Sequence, residues 1–319
     1  MLKLILRVFL GVALATVSTV GMAGSAPDRY PSRPITLIVP WGPGGGADQM
    51  ARALAKTMQE TLKTASVPVI NVPGADGNTG MVKLIGADAD GYTMAVLVTD
   101  TFYGNVKDKA ASPWQLNDIT PLAVMNRQPF TYFASPNSPY KTWADIVKAA
   151  KTTQIKIAID GFGSAEDMLT KFMASKGVKL TAIPFAKPGE RYAALLGNQV
   201  DLLCEPDGNL RRYIESGQMR PLIVFDTKRV PDMPSTPTAL ELGYKVALSS
   251  WRAIVIKAGT DPQIVQFLSD ALDRVYKSPD YQQFLDYTWS AKDSFVPAKD
   301  MTGFLRTAQQ QMDEIARLQ

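Results

Sequence analysis

Short apolar runs alternate along the chain with longer amphipathic stretches. The first run, Ile35–Val39, leads into a glycine-rich loop, after which apolar residues recur at helical spacing over Asp48–Leu62. Val67–Val72 and Thr93–Val98 are two further β-branched runs, separated by another amphipathic segment. Strands that alternate with helices in this way predict βαβ units with a mostly parallel sheet, so the expected fold class is α/β.

A second unit of the same kind is predicted further along the chain. Leu122–Met125 and Phe130–Ala134 are apolar runs that we expect to be two strands leaving the first sheet. Ile155–Ile159 is a predicted strand followed by a glycine turn and a helix, which repeats the arrangement at the start of the chain. Ser249–Ile256 is expected to be a late return strand.

Residues 1–23 have the features of a secretory signal peptide. Lys3 and Arg7 supply positive charge ahead of an apolar core that is too short to span a membrane comfortably. Gly21-Met22-Ala23 is a small-x-small cleavage site. We therefore expect a mature protein exported to the periplasm, with an uncleaved N-terminal anchor as the alternative.

A length of 319 residues predicts two domains. We expect residues 24–126 and 252–319 to form domain 1 and residues 127–251 to form domain 2. Each domain would be a mostly parallel sheet flanked by helices. Ligands bind at the carboxyl edge of such sheets, so two edges that face each other would form an interdomain cleft.

The composition excludes several kinds of chemistry. The chain has no histidine, which removes the Ser-His-Asp and Cys-His arrangements and the commonest metal ligand. Cys204 is the only cysteine, and its apolar surroundings predict a buried strand residue. Without the two basic residues of the first 23, 32 basic residues face 30 acidic ones, which argues against nucleic-acid and membrane-surface partners. We expect no cofactor, no metal site and no enzymatic activity, a secreted hydrolase or oxidoreductase being the main alternative.

The loop between the first strand and the first helix is the strongest candidate site. Its backbone N–H groups would converge at a helix N-terminus, where the dipole favours an anion, and its glycines allow a ligand to come close. It lacks the Gly-Lys-Ser/Thr ending of a P-loop, and no acidic residue clearly ends the second strand as a dinucleotide site requires. A carboxylate is therefore the preferred ligand group, a plain turn being the alternative. The candidate residues are Trp41, Gly42, Gly44, Gly45, Gly46, Ala47 and Asp48.

Other loops that follow predicted strands belong to the same candidate edge. Asn78 and Thr79 suit neutral hydrogen bonds, while Gly161, Gly163 and Ser164 repeat the strand, glycine turn and helix arrangement. A plain turn and a helix cap are the respective structural alternatives. The acidic residues Asp100, Glu190, Glu205 and Asp207 are expected to be solvated or to cap helices, with Asp207 in a loop near the cleft.

Several segments together resemble one protein family. They are Tyr30–Asp48 (YPSRPITLIVPWGPGGGAD), Asn71–Gly80, Asp90–Thr93, Arg229–Thr238 and Ser250–Arg252. They are similar to the corresponding segments of the substrate-binding proteins of tripartite tricarboxylate transporters, the Bug or TctC-like family. The resemblance extends over nearly the whole chain.

This resemblance implies a monomeric, two-domain periplasmic binding protein of type II-like architecture. Such a protein closes around a small carboxylate-bearing solute and delivers it to integral-membrane transporter subunits. The resemblance also implies that backbone groups and water hold the carboxylate between Gly42–Asp48 and Gly161–Ser164, with Asn78, Thr79, Asp100 and Thr101 lining the rest. A ligand-sensing partner of a membrane receptor would use the same cleft and is the other interpretation.

The chain departs from the family pattern at several positions. Trp41 and Gly42 replace a common Phe-Pro pair, so the cleft mouth is expected to differ in shape. Phe162 stands beside the second glycine loop, where it would either stack on a planar ligand or belong to the core. Lys187, Arg191 and Arg252 are expected at the surface.

Overall fold

The computed structural model describes residues 30–63, 66–107 and 112–317. The predicted signal peptide lies outside these residues. The strands are β1 Thr36–Val39, β2 Val69–Asn71, β3 Thr93–Val98, β4 Ile119–Ala134, β5 Ile155–Ile159, β6 Leu180–Pro184, β7 Leu202–Pro206, β8 Arg220–Val224, β9 Ser249–Lys257 and β10 Val296–Pro297. The α-helices are α1 Gly46–Leu62, α2 Asn78–Ile85, α3 Thr99–Lys107, α4 Trp143–Ala149, α5 Ala165–Ser175, α6 Pro188–Leu196, α7 Arg211–Glu215, α8 Pro262–Lys277, α9 Pro279–Tyr287 and α10 Met301–Arg317.

The strands form one curled sheet in the order β2-β1-β3-β9-β4-β7-β5-β6, with β8 and β10 also paired to β4. The strands β2, β1 and β3 are mutually parallel, and so are β6, β5 and β7. These two parallel units with their helices confirm the predicted α/β class. The connection between them is antiparallel, because β9 pairs with both β3 and β4 and β4 pairs with β7.

Strand β4 belongs to both halves of the sheet. It pairs with β9 over its first part and with β7 and β8 over its last part. The prediction of two separate strands here was wrong, because the polar residues Asn126 and Gln128 interrupt the apolar pattern without interrupting the ladder. They pair with Arg252 and Ser250 of β9. The expected domain boundaries at 126/127 and 251/252 fall at this point of the ladder and stay a prediction.

Helix α1 shows how the apolar pattern fixes the packing that positions the first loop. The residues on its predicted inner face are all buried, and they are Ala51, Leu54, Ala55, Met58 and Leu62. They pack in one cluster with Leu37 and Val39 of β1 and with Leu268 and Leu272 of α8. Each such large apolar side chain contributes about 1.5–3 kcal/mol when it is buried. This packing holds the N-terminus of α1 at the carboxyl end of β1.

Candidate binding cleft

Loops from the two parallel units meet at a cleft with two adjoining chambers. The inner chamber has a volume of about 60 Å³, and the outer chamber of about 710 Å³. Trp41, Gly42, Asp160, Ala186 and Pro188 line both. The walls come from the carboxyl ends of β1, β3, β5, β6 and β7, which is where ligands bind in parallel sheets. The polar lining of the inner chamber comprises Gly45, Gly46, Asp100, Asp160, Glu166, Arg191, Glu205, Asn209, Ser250 and Arg252.

The N-terminus of α1 is one wall of the inner chamber. No side chain caps this helix, whose N-cap residue is Gly45. A Cβ atom on Gly46 would collide with Asn209 Oδ1 and with the Arg252 guanidinium, whose Cζ would be only 2.8 Å away. Glycine is therefore required here by close approach, and the positive end of the helix dipole is left open toward the chamber.

Asp48 supports this loop from outside the chambers. Its buried carboxylate accepts hydrogen bonds from Gly44 N, from Asn71 Nδ2 and from Arg52 Nε, each at 3.0 Å. Burial alone would raise the pKa of Asp48, but the bonds from Arg52, Gly44 and Asn71 hold it below its ordinary value. Asp48 lines neither chamber, so the structure gives this candidate a supporting position.

At the second glycine loop, Gly161–Ser164, hydrogen bonds from within the chain satisfy the N–H groups at the N-terminus of α5. Asp100 Oδ1 accepts a hydrogen bond of 2.7 Å from Ala165 N, the first residue of α5. Ser164 Oγ caps Asp167 N, as its position in the sequence predicts. A carboxylate from the first turn of α3 thus occupies the helix end that we expected a solute to use. Residues Gly161–Ser164 line neither chamber, and Phe162 is 66% exposed rather than in the core.

Four other candidates also lie outside the chambers. Asn78 Oδ1 accepts a hydrogen bond from Trp114 Nε1 at 2.7 Å. Thr101 donates to Asp76 O at 2.9 Å, and Thr79 is exposed. Asp207 follows β7 as expected but is fully buried, where burial raises the pKa of its carboxyl group. Gly44 of the first loop also lines neither chamber. The candidates that the structure brings to the inner chamber are Trp41, Gly42, Gly45, Gly46, Ala47 and Asp100.

Arg252 was expected at the surface, but it is only 4% exposed and lines the inner chamber. Its guanidinium donates to Gln128 Oε1 at 2.7 Å, to Asn126 Oδ1 at 3.3 Å and to Asn209 Oδ1 at 3.4 Å. All three partners are neutral amides, and within the described residues no carboxylate forms an ion pair with it. Burial lowers the pKa of Arg252. The carboxylates of Glu205 and Asp100 are near enough to oppose this shift, but burial outweighs them, so this position favours an anionic ligand.

Arg191 was likewise expected at the surface, but it is 3% exposed at the centre of an acidic cluster. It forms ion pairs with Asp160 and, at 2.9 Å, with Glu205, and it also donates to Phe185 O at 2.9 Å. Glu205 was expected to be solvated or to cap a helix, but it is buried in this pair. Asp160 follows β5 and Glu205 ends β7, the parallel neighbour of β5. The sequence signal that marks them is an acidic residue at the end of an apolar strand.

The acidic cluster should make the stability of the free protein depend on pH. Burial raises the pKa of Asp160 to about 7, with Glu205 and Asp100 adding to the shift and Arg191 opposing it. Between pH 4 and 7 the folded state therefore binds more protons at Asp160 than the unfolded state, and the contribution of this residue to the free energy of unfolding falls as the pH rises. We expect Asp160 to account for a loss of about 3 kcal/mol between pH 5 and pH 8.

Urea unfolding at pH 5 and pH 8 measures this loss. The Asp160→Asn variant is the matched control, because it lacks the titrating group and should show a flatter dependence. Carboxyl groups with lowered pKa values, such as Asp48, titrate below this window. Equal unfolding free energies at the two pH values in the wild-type protein would contradict the assignment.

Comparisons with known proteins agree with this architecture. A family model described as the tripartite tricarboxylate transporter family receptor, TctC, matches residues 50–316. The chain belongs to this receptor family. BugT of Bordetella pertussis is 30% identical over 269 residues, which are 82% of each chain. The resemblance found in the sequence is thereby confirmed.

Solved structures support the same fold for this receptor. The periplasmic binding protein BugD superposes with a TM-score of 0.81 at 27% identity, covering 90% of this chain and 98% of BugD. A Rhodopseudomonas palustris protein solved with adipate gives a TM-score of 0.83 at 23% identity, covering 91% and 98%. The receptor thus has the two-domain fold of periplasmic solute-binding proteins. Within the described residues, no helix is both long and apolar enough to cross a membrane.

Proposed function

We propose that this receptor is an exported, monomeric periplasmic protein that captures a small carboxylate-bearing solute in the cleft and delivers it to membrane subunits of a tripartite tricarboxylate-type transporter. The observation that carries the proposal is the close approach of two positive groups, one of them a guanidinium that forms no ion pair in the described part of the chain. The open N-terminus of α1 and the Arg252 guanidinium lie against each other at Gly46. A carboxylate placed there would accept charge-assisted hydrogen bonds from both.

The rest of the site supports capture rather than chemistry. Loops of both parallel units line the inner chamber, so a bound solute would link them and favour the closed arrangement. The chain has no histidine to act as a general base. The solved relative with adipate binds a dicarboxylate, and this supports the same ligand class here. A sensing role would use the same cleft, and uptake measured in cells that lack the receptor separates the two roles.

A thermal-shift screen of small carboxylates, each beside its neutral amide, tests the proposal. An acid that binds only the folded state raises the melting temperature, whereas its amide should not. For the acid identified, we expect Arg252→Gln to weaken binding about 100-fold in calorimetric titration, since a charge-assisted hydrogen bond contributes about 1.5–3 kcal/mol. The exposed Arg274→Gln variant controls for the loss of one positive charge.

Two results would count against the carboxylate assignment. One is stabilisation by amides and acids alike, and the other is unchanged affinity in the Arg252→Gln protein. Stabilisation by neutral compounds alone would keep the cleft as the binding site but remove the anion from the proposal.

A further inference from the structure

We propose that the second parallel unit carries a basic edge that docks on an anionic phospholipid surface and leaves the cleft free to bind its solute. Five lysines form this basic edge, and they are Lys148, Lys151, Lys156, Lys176 and Lys179. None of them lines either chamber of the cleft. The inference therefore goes beyond the proposed function and does not depend on which solute is bound.

The topology of the second unit brings these lysines to the end of the sheet at which β5 and β6 begin. Lys148 lies in the last turn of α4, and Lys151 comes directly after the C-cap of that helix. Lys156 is the second residue of β5. Lys176 is the C-cap residue of α5, and Lys179 immediately precedes β6. Two helix ends and two strand starts thus contribute to one edge.

Pairing between β5 and β6 holds the two groups of lysines together. The strands are parallel, and Lys156 is paired with Thr181, two residues after Lys179. Just before β5, Gln154 Nε2 donates a hydrogen bond of 3.1 Å to Thr181 Oγ1. Paired strands lie about 4.8 Å apart, so the segments that carry Lys156 and Lys179 are direct neighbours.

The five ammonium groups are exposed and have little opposite charge around them. In the part of the chain that the structure describes, no carboxylate forms an ion pair with any of the five. Asp201 is held at this edge, where its Oδ2 accepts a hydrogen bond of 2.8 Å from Lys156 N. A single carboxylate offsets at most one of the five charges, so the edge is strongly positive.

The charges of residues 141–180 are separated between the two ends of the unit. This segment has seven lysines and no arginine, and its acidic residues are Asp145, Asp160, Glu166 and Asp167. Asp160 and Glu166 line the inner chamber, and Asp167 lies beside them in the first turn of α5. Asp145 belongs to the capping box of α4. The near-even charge of the whole chain, which argued against a membrane-surface partner, therefore conceals a face of one sign.

Helix stability explains only part of this edge. Lys148 and Lys176 lie at helix C-termini, where the helix dipole favours a cation. Lys156 and Lys179 have no such reason, because one is in a strand and the other directly precedes one, and strands are depleted in lysine. Repulsion between unpaired ammonium groups also disfavours the folded state. A partner of opposite charge removes this repulsion.

The composition of the basic edge favours a lipid surface over a protein partner. Protein interfaces are enriched in arginine and aromatic residues and depleted in lysine, whereas every cation of this edge is a lysine. A lysine ammonium is a hydrated point charge on a flexible stem, which suits diffuse attraction to phosphate headgroups. The large apolar side chains that are exposed in the described residues, such as Phe162 and Tyr287, belong to other segments. Attachment should therefore be purely electrostatic, without insertion into the acyl chains.

The position of the basic edge leaves the cleft accessible. Strand β5 begins at this edge and ends at Ile159, next to Asp160 of the inner chamber. A strand of this length spans about 16 Å, so the lipid and the solute would lie at opposite ends of the second unit. A receptor held in this way stays near the membrane and can bind its solute there.

Co-sedimentation of the mature protein with lipid vesicles tests the inference. One set of vesicles contains phosphatidylcholine alone, and the other contains about one third phosphatidylglycerol, both with EDTA present. We expect binding to the anionic vesicles alone at about 10 mM salt, where the Debye length is about 30 Å, and release at about 1 M, where it is about 3 Å. Tryptophan fluorescence should not change on binding, because no side chain enters the bilayer.

Two triple variants with the same change in net charge assign the effect to this edge. Each basic residue near an anionic surface strengthens attachment about five-fold, so reversal of three of them should weaken it by at least 100-fold. The edge variant combines Lys151→Glu, Lys176→Glu and Lys179→Glu. The control variant reverses three exposed lysines elsewhere, and these are Lys83→Glu, Lys228→Glu and Lys299→Glu. Circular dichroism and the affinity for the acid found in the thermal-shift screen should match the wild type in both variants.

Three results would overturn the basic edge as a membrane-docking surface. The first is equal binding to neutral and anionic vesicles, or binding to neither, at low salt. The second is an equal loss of attachment in the edge and control variants, which would show a general effect of net charge. The third is absence of vesicle binding together with impaired solute uptake in cells that carry the edge variant alone, which would assign the edge to an acidic protein partner. The solute screen decides the proposed function separately from all three.

Discussion

Gly46→Ala is expected to abolish solute binding, with an affinity loss of 100-fold or more, while the protein stays folded. The new methyl group would collide with Asn209 and Arg252. It would therefore hold the two walls of the inner chamber apart and displace the guanidinium that is proposed to bind the carboxylate. Alanine is favourable in a helix, and Gly46 lacks the positive φ that would make the substitution strained in the backbone.

Calorimetric titration with the acid identified by the thermal-shift screen measures the loss, and circular dichroism checks the fold. Gly303→Ala is the matched control, because Gly303 also lies in the first turn of a helix and a Cβ there meets nothing within 4 Å. Its affinity should stay within about two-fold of the wild type. Unchanged affinity in Gly46→Ala would show that the solute lies away from the α1 N-terminus.

Arg191→Met is expected to lower the free energy of unfolding by about 3–5 kcal/mol at pH 8, which is more than any other single substitution considered for this protein. Removing one partner of a buried ion pair leaves the other charge without compensation, and here two carboxylates, Asp160 and Glu205, lose their cation. The loss should be smaller at pH 5, because Asp160, whose pKa is about 7 even beside Arg191, can then be neutral.

Urea unfolding of both proteins at the two pH values measures this difference. Arg229→Met is the control, because the Arg229–Glu241 pair has both side chains 44% exposed and should contribute at most about 1 kcal/mol. Equal losses in the two variants, or a loss in Arg191→Met that does not change with pH, would contradict a buried and mutually dependent cluster.

The sequence was a good guide to the fold because the relevant patterns are local. Ile35–Val39, the glycine loop and α1 follow each other directly, so periodicity and turn residues were enough to place the loop at a helix N-terminus. The carboxyl-edge rule then located the cleft without knowledge of the strand order. The same reasoning did not distinguish Asp48, which supports the loop, from Gly45 and Gly46, which face the chamber.

The charged residues of the cleft were much harder to predict, because distant strand pairing decides their surroundings. Arg252 follows Trp251 in an apolar strand, and its amide partners Asn126 and Gln128 come from a strand far earlier in the chain. Arg191 is on a helix, and the two carboxylates that pair with it come from the ends of β5 and β7, which lie side by side. Asp100 is a third example. It follows β3 in the first parallel unit, but the N–H group that it binds belongs to Ala165, at the start of α5 in the second parallel unit.

The position of β9 has a consequence for the order in which the chain can fold. This late strand lies between β3 and β4, which are both made much earlier. Until Ser249–Lys257 arrives, β3 and β4 each present an unpaired edge, and the contacts that close the sheet span a long stretch of chain. A chain that ends before Ser249 would keep both edges open and would be prone to aggregate. The part of the sheet that contains β2, β1 and β3 is therefore complete only after Ser249–Lys257 has been synthesised.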